Sequence, residues 1–143
     1  MPNRDIIKSK VSAIGSYFEE LMPFIEEAKK RIITIKDPKL YIIERLFLLI
    51  VDAAIDINTH IIIHNKFESP DDYAGTFIIL GKNKIIPNDL AINISGSVGL
   101  RNKMVHGYEK VGRQEMLDYI TNGIGNYSEY MKYIDEYMNS FKE

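Results

Sequence analysis

Cysteine is absent from the sequence. Its absence excludes a disulfide scaffold, a thiolate-bound zinc site, an iron–sulfur cluster and a cysteine nucleophile. An excess of either charge is also absent, because 18 lysines and arginines meet 20 aspartates and glutamates and leave a net charge of −2. This balance excludes a protein whose whole surface attracts nucleic acid, although it is compatible with a local basic patch.

A long uncharged apolar run is missing as well. The most apolar stretch covers residues 40–57, and four charged residues interrupt it: Glu44, Arg45, Asp52 and Asp56. Charges at this density argue against a membrane-spanning helix. The first residues of the chain contain no continuous apolar segment of the kind that signal peptides have. We therefore expect a cytoplasmic protein with no membrane contact.

The 143 residues, of which 45% are hydrophobic and 27% charged, suit a single globular domain over residues 1–143. Hydrophobic residues recur with the 4-3 spacing of packed helices in two long segments. The first segment contains Ile7, Val11, Ile14, Phe18, Leu21, Ile25, Ala28, Ile32 and Ile35, and the second contains Ile43, Phe47, Ile50, Ala54, Ile57 and Ile61. Because the second segment is apolar on nearly all sides, we expect it to form the central helix.

Three proline joints predict helix starts, since proline suits the first turn and aspartate and serine are good N-caps. They are Asp37-Pro38, Ser69-Pro70 and Ile86-Pro87. Residues 76–86 fit either a β-hairpin or the end of a short helix, and we prefer the helix because the Ser69-Pro70 start requires one. Helices from Pro87 to about His106 and over roughly 113–141 complete an all-α bundle of four long helices and one short helix.

A cluster of polar residues closes the helix that begins at Pro87. It reads Arg101-Asn102-Lys103-Met104-Val105-His106-Gly107-Tyr108. Its surroundings are locally basic and would attract a phosphate, so Lys103, Lys110 and Arg113 are candidate phosphate or RNA contacts. The simpler interpretation is a solvated helix terminus, where the helix dipole favours basic side chains.

The pattern of Arg101, Asn102, His106 and Tyr108 resembles the Arg-x4-His-x-Tyr signature of the HepT-like toxins, a branch of the HEPN superfamily. The resemblance extends upstream to the central helix and to the segment before the short helix. The residues concerned are Glu44-Arg45, residues 54–62 and Pro70-Asp71-Asp72-Tyr73. It implies a dimeric HEPN-like bundle that acts as the ribonuclease toxin of a HepT/MntA-type toxin–antitoxin pair and uses no metal or other cofactor.

The implied reaction is cleavage of RNA by its own 2′-hydroxyl. It requires a base, an acid and a cation for the charge that develops on phosphorus. The resemblance assigns His106 and Arg101 as the catalytic residues, with Asn102 orienting the imidazole or a phosphate oxygen. Five residues on a helix rotate two side chains apart by about 140°. Arg101 and His106 therefore converge only if the helix ends before His106, or if a second copy in a symmetric dimer supplies partners.

The resemblance also gives Tyr108 a role. In the HepT-like branch, the matching tyrosine receives AMP from a partner nucleotidyltransferase, the antitoxin. The modification adds bulk and negative charge where an RNA backbone would bind. Tyr108 is therefore the candidate AMP acceptor, and a packing or interface role is the simpler alternative.

A ladder of polar residues, each four positions after the last, follows one stripe of the central helix. Its members are Asp52, Asp56, His60 and His64. The two histidines have metal-ligand spacing, but the glutamate that zinc hydrolases place between them is missing, and we predict no metal site. We predict instead that Asp56 is a buried acceptor for Arg101, Asn102 or His106, because a buried carboxylate needs a partner.

Two other functions stay open at the level of sequence. One is a non-catalytic module that binds nucleotide or protein and serves as partner or substrate of a nucleotidyltransferase, with Arg101 and His106 holding phosphates. The other is a metal-binding bundle built on His60 and His64. The tyrosines of the last helix could stack on bases, but their helical spacing favours packing.

Overall fold

The structure, a computed structural model, describes residues 4–106 and 110–140, and all regular elements in these ranges are helices. In chain order they are α1 (Arg4–Lys29), α2 (Leu40–Asn65), α3 (Tyr73–Lys82), α4 (Asn88–Val105), α5 (Lys110–Asn122) and α6 (Asn126–Asn139). The predicted all-α class is confirmed. The ambiguous segment 76–86 is also helical over most of its length, as part of α3, which agrees with the preferred interpretation.

Helix α2 is the centre of the bundle. Every member of its predicted 4-3 seam is fully buried, and the helix packs against α1, α3 and α4. Its length and composition would also allow it to cross a membrane, but 61% of its most apolar window is buried inside the protein. This burial is the behaviour of a core helix.

The seam of α1 is shorter than predicted. It holds as far as Ala28, but the helix ends at Lys29 and does not reach Ile35. Arg31 follows with a left-handed backbone, at a φ of 59°, which ends the helical register. Ile33 therefore points into the core, at 2% exposure, whereas Ile32 is 60% exposed.

The proline joints are only partly correct as helix starts. Pro87 directly precedes α4, as predicted. Ser69 does not cap α3. Its N-cap is Asp72, whose carboxylate accepts a hydrogen bond of 2.7 Å from the backbone N–H of Gly75. Asp37 bonds the N–H of Lys39 at 2.9 Å, one residue before α2 begins.

The last predicted helix, over roughly 113–141, is wrong as a single helix, and the count of four long helices and one short helix fails with it. Helix α5 ends at Asn122 and α6 begins at Asn126. The carbonyl of Tyr119 accepts the N–H groups of Gly123 at 2.7 Å and Ile124 at 2.9 Å, which closes α5. A Cβ at position 123 would lie 2.7 Å from the Tyr119 ring, so this turn requires glycine there.

A buried polar chain fixes the start of α3 against α2 and α6. The hydroxyl of Tyr130 donates to the Asn58 Oδ1 at 2.6 Å, and the Asn58 Nδ2 donates to the Thr76 hydroxyl at 3.0 Å. The Thr76 hydroxyl in turn donates to the carbonyl of Tyr73 at 2.6 Å. Unmade hydrogen bonds are costly in a core. This series of hydrogen bonds therefore fixes the position of the Tyr73 backbone.

Candidate active site

Arg101 lies near the end of α4 and is held from three directions. Its Nε donates to the Asp52 Oδ1 of α2 at 2.8 Å, and its Nη1 donates to the Asn102 Oδ1 at 3.0 Å. Its guanidinium carbon lies 5.3 Å from the centroid of the Tyr73 ring, a cation–π distance. A guanidinium has five N–H donors, so three of them have no partner in the part of the chain that the structure describes.

Helix α4 ends at the residue before His106. The N–H of His106 bonds the carbonyl of Asn102 at 3.1 Å as the helix closes, and the His106 side chain is exposed. Helix α4 therefore ends before His106, but the His106 N–H still makes a helical bond to the residue four positions earlier, so the convergence of Arg101 and His106 stays a prediction. The Asn102 side chain bonds Arg101, and its backbone carbonyl accepts the regular helical bond from the His106 N–H.

Gly107, Tyr108 and Glu109 lie outside the described residues, so the predicted position of the AMP acceptor is untested. Lys110 begins α5, and its predicted phosphate contact is untested too. Of the other basic candidates, Lys103 forms an ion pair with Glu115 at 2.8 Å.

The prediction that Asp56 is a buried acceptor for the motif is wrong. Its side chain is 54% exposed, and it accepts from the Lys10 Nζ at 3.1 Å. Asp52, one turn earlier in the same ladder, takes the expected place beside Arg101. The four-residue spacing identified the correct stripe of α2, but it could not show which turn lies level with Arg101.

Arg113 has a setting similar to that of Arg101. Its Nε lies 3.8 Å from the Glu44 Oε1, and its guanidinium carbon lies 5.4 Å from the centroid of the Tyr41 ring. Reasoning from sequence missed both Tyr41 and Tyr73, because helical spacing carries no information on which side chains of different helices meet.

The other two candidate features, the metal-ligand spacing on α2 and the tyrosines of the last predicted helix, gain no support as functional sites. Within residues 4–106 and 110–140, no three histidine, aspartate or glutamate side chains could share a metal ion. Tyr127 and Tyr130 are fully buried, and Tyr119, Tyr133 and Tyr137 pack against the core. Packing is therefore the better interpretation of this tyrosine set.

The chain is similar to known proteins in both sequence and fold. The family model described as Ribonuclease HepT-like matches residues 14–134. A tRNA nuclease HepT of Aphanizomenon flos-aquae is 34% identical over 140 residues, which are 96% of this chain and 93% of that protein. An mRNA nuclease HepT of Shewanella oneidensis is 24% identical over 132 residues, which are 91% of this chain and 96% of that protein.

Solved structures share the fold. A chain of a toxin–antitoxin complex with AMP-PNP has a TM-score of 0.81 at 21% identity, covering 92% of this chain and 98% of that one. A tri-AMPylated HEPN toxin of Shewanella oneidensis in complex with an MNT antitoxin has a TM-score of 0.72 at 20% identity, with the same coverage. These likenesses extend over nearly the whole bundle.

Proposed function

The chain belongs to the HepT-like ribonuclease family, and from this premise we propose that it is a metal-independent endoribonuclease, the toxin of a toxin–antitoxin pair. The observation that carries the proposal is the end of α4. There Arg101 is held by Asp52 and Asn102 with N–H donors to spare, and His106 is exposed where the helix stops.

In the proposed reaction, the 2′-oxygen of RNA attacks the adjacent phosphorus. The new bond joins the 2′-oxygen to phosphorus, and the bond from phosphorus to the 5′-oxygen breaks. His106 takes the proton of the 2′-hydroxyl, and an acid, His106 or water, returns one to the leaving 5′-oxygen. Arg101 stabilises the charge on the non-bridging oxygens. The products are a 2′,3′-cyclic phosphate and a 5′-hydroxyl.

We further propose a single domain over residues 1–143, active in the cytoplasm as a symmetric dimer. Lys103, Lys110 and Arg113 are its proposed contacts to the RNA backbone. The nuclease names of two relatives that match along nearly their full length support the activity, and the local positive charge of residues 101–113 supports the contacts.

The test is induced expression of the wild type, Arg101→Ala and His106→Ala in a bacterial host, with growth and RNA integrity followed in each. We expect growth arrest and RNA fragments from the wild type only, because each variant lacks a group that the transition state needs. Purified wild type should cut RNA in excess EDTA and leave cyclic phosphate ends. His60→Ala, a histidine of α2 outside the motif, is the matched control and should cut normally.

Two results would contradict the proposal. Equal behaviour of all the variants would show that the motif is not the active centre, and the non-catalytic binding module would then be the better function. Activity that EDTA abolishes and that His60→Ala also lacks would favour a metal site on α2.

We also propose that a partner nucleotidyltransferase silences the protein by attaching AMP to Tyr108. The phenolic oxygen would attack the α-phosphorus of ATP, the bond to the leaving pyrophosphate would break, and the phenolic proton would pass to solvent. The bulky anion would then lie two residues from His106 and repel an RNA backbone. The AMPylated toxin and antitoxin of the Shewanella oneidensis complex support this regulation by analogy.

Mass spectrometry after incubation with an MNT-type nucleotidyltransferase and ATP tests the modification. We expect the wild type to gain one or more adenylyl groups and to lose its nuclease activity. Tyr108→Phe should cut RNA and stay active after the same treatment, whereas the control Tyr41→Phe should be modified like the wild type. Full modification and silencing of Tyr108→Phe would exclude Tyr108 as the acceptor.

A further inference from the structure

Two exposed tyrosine rings lie against arginines of the motif region. The ring of Tyr73 faces Arg101 at 5.3 Å and the ring of Tyr41 faces Arg113 at 5.4 Å. Tyr73 is 52% exposed and Tyr41 is 63% exposed. Exposed aromatic rings beside cations are typical of surfaces on which the bases of nucleic acids stack.

The two pairs lie along one exposed stripe of α2. Tyr41 and Asp52, the carboxylate that holds Arg101, are eleven residues apart. This separation is about three helical turns, so the two residues lie within about 20° of each other around the helix and roughly 16 Å apart along it. Between them lies Arg45, which is exposed and forms no ion pair within residues 4–106 and 110–140.

A groove of about 430 Å³ opens beside Tyr41, between α1 and α2. Its walls include Tyr17, Tyr41, Leu49, Arg45 and one carboxylate, that of Glu20. Aromatic and aliphatic walls suit the faces of a planar base, the arginine suits a neighbouring phosphate, and the glutamate can accept a hydrogen bond from an exocyclic amino group.

We propose that Tyr73 and Tyr41 are stacking platforms for two unpaired bases of one RNA strand, which follows the exposed stripe of α2 with Arg45 at its backbone. This inference rests on the proposed ribonuclease function and adds the form of its substrate. Stacking on a side chain requires a base that is not already stacked in a duplex, so the substrate is single-stranded at this surface.

The mounting of Tyr73 fits this role. Its backbone carbonyl is the last acceptor in the buried chain from Tyr130 through Asn58 and Thr76. Asp72, the residue before Tyr73, is fixed as well, because its carboxylate accepts a hydrogen bond from the backbone N–H of Gly75. A platform that is rigid before RNA arrives loses little conformational entropy when a base stacks on it.

The test measures binding in the His106→Ala background, so that the RNA is not cut. Two fluorescent oligonucleotides of equal length are titrated: one unstructured and carrying all its bases, and one abasic. We expect Tyr73→Leu and Tyr41→Leu each to weaken binding of the first by about 5- to 150-fold, as the loss of one base–aromatic stack does. Binding of the abasic strand should not change, and Tyr73→Phe and Tyr41→Phe should bind both strands like the parent.

Tyr133→Leu is the matched control. Its ring also lies beside a cation, with the Lys132 Nζ 5.7 Å from its centroid, but on α6 and outside the stripe, so its removal should change neither titration. Thermal melting checks that the leucine variants fold, and light scattering measures their mass in solution.

Three results would overturn the inference. Unchanged binding would show that no base stacks there, and equal weakening of both strands would show that the rings act only through the arginines. A smaller mass for either leucine variant would show that a second copy of the chain covers the stripe. If the parent binds neither strand and the wild type cuts no RNA, the proposed function itself has failed. If the wild type cuts RNA and the leucine variants bind like the parent, only this inference has failed.

Discussion

At the scale of single residues, the function of the site depends on which N–H donors of Arg101 are already hydrogen-bonded within the protein. Asp52 takes the Nε and Asn102 takes one N–H of the Nη1, while the ring of Tyr73 lies against the guanidinium. The fork is thereby held in one orientation before any phosphate binds. A lysine could supply the same charge, but it has no planar fork that three neighbours can orient.

Asp52→Asn should therefore lower kcat for RNA cleavage by roughly 10-fold or more, because a guanidinium that can rotate is not kept where the charge develops. Steady-state kinetics on a defined RNA measure the effect. KM should change less than kcat, and Asp52→Glu should recover part of the activity by restoring the carboxylate.

Asp56→Asn is the matched control for Asp52→Asn, since it removes the same charge from the next turn of α2. Asp56 bonds Lys10, so we expect kinetics like those of the wild type. A loss of activity in Asp56→Asn with none in Asp52→Asn would reverse the assignment and restore the original prediction for Asp56.

At the scale of elements, hydrophobic spacing predicted what it can physically report, namely which residues face the core. It identified α2 as central because a helix that is apolar on nearly all sides has to be surrounded. It missed the break between α5 and α6 because Ile120, Ile124 and Tyr127 are all buried across that break. The pattern stays in phase although the helix stops, and only the contact of Gly123 with the Tyr119 ring shows the turn.

In the candidate site, too, the sequence predicted local features correctly and contacts between helices incorrectly. The sequence placed Arg101 and His106 at a helix end, and α4 does end there, because a helix boundary depends on nearby residues. The partner of Arg101 was assigned to the wrong turn of α2, because the offset between two packed helices depends on every contact between them. Tyr41 and Tyr73 reach the arginines across helices for the same reason, and no local pattern indicates such meetings.

At the scale of the whole molecule, α6 is joined to the core through tyrosines that stay uncharged. Tyr127 bonds Ser97 of α4 at 2.7 Å, and Tyr130 bonds Asn58 of α2 at 2.6 Å. Burial raises the pKa of both well above the usual 10. Burial also raises the pKa of Tyr119 to about 12. The polar side chains of Ser97 and Asn126 lie near enough to temper that rise, although neither has the geometry of a hydrogen bond to the buried Tyr119 hydroxyl in the described part of the chain.

The free energy of unfolding should therefore fall as the pH rises above 10. An unfolded tyrosine loses its proton near pH 10, whereas the buried ones keep theirs to higher pH, so the unfolded chain binds fewer protons over that range. Each buried tyrosine contributes a slope of up to about 1.4 kcal/mol per pH unit. Urea denaturation at several pH values from 8 to about 11 measures this slope.

Tyr119→Phe should reduce the alkaline slope and change stability at neutral pH by less than about 1 kcal/mol, since its hydroxyl makes no hydrogen bond that would be lost. Tyr41→Phe, which removes an exposed tyrosine hydroxyl, is the matched control. If the two variants lose stability with pH in parallel, the Tyr119 hydroxyl does not contribute to the alkaline weakening.

The ion pairs of the motif region have a consequence for how the surface meets its environment. Arg101 faces Asp52, Lys103 faces Glu115 and Arg113 faces Glu44, so these three cations are already partnered within the chain. At Lys103 and Arg113, an incoming polyanion would exchange with Glu115 and Glu44 and would not simply displace condensed counterions, while Asp52 keeps Arg101 oriented. Attraction at long range is then weak, and the affinity depends on ionic strength less steeply than a count of lysines and arginines would indicate. Discrimination between polyanions would then rest on contacts at short range.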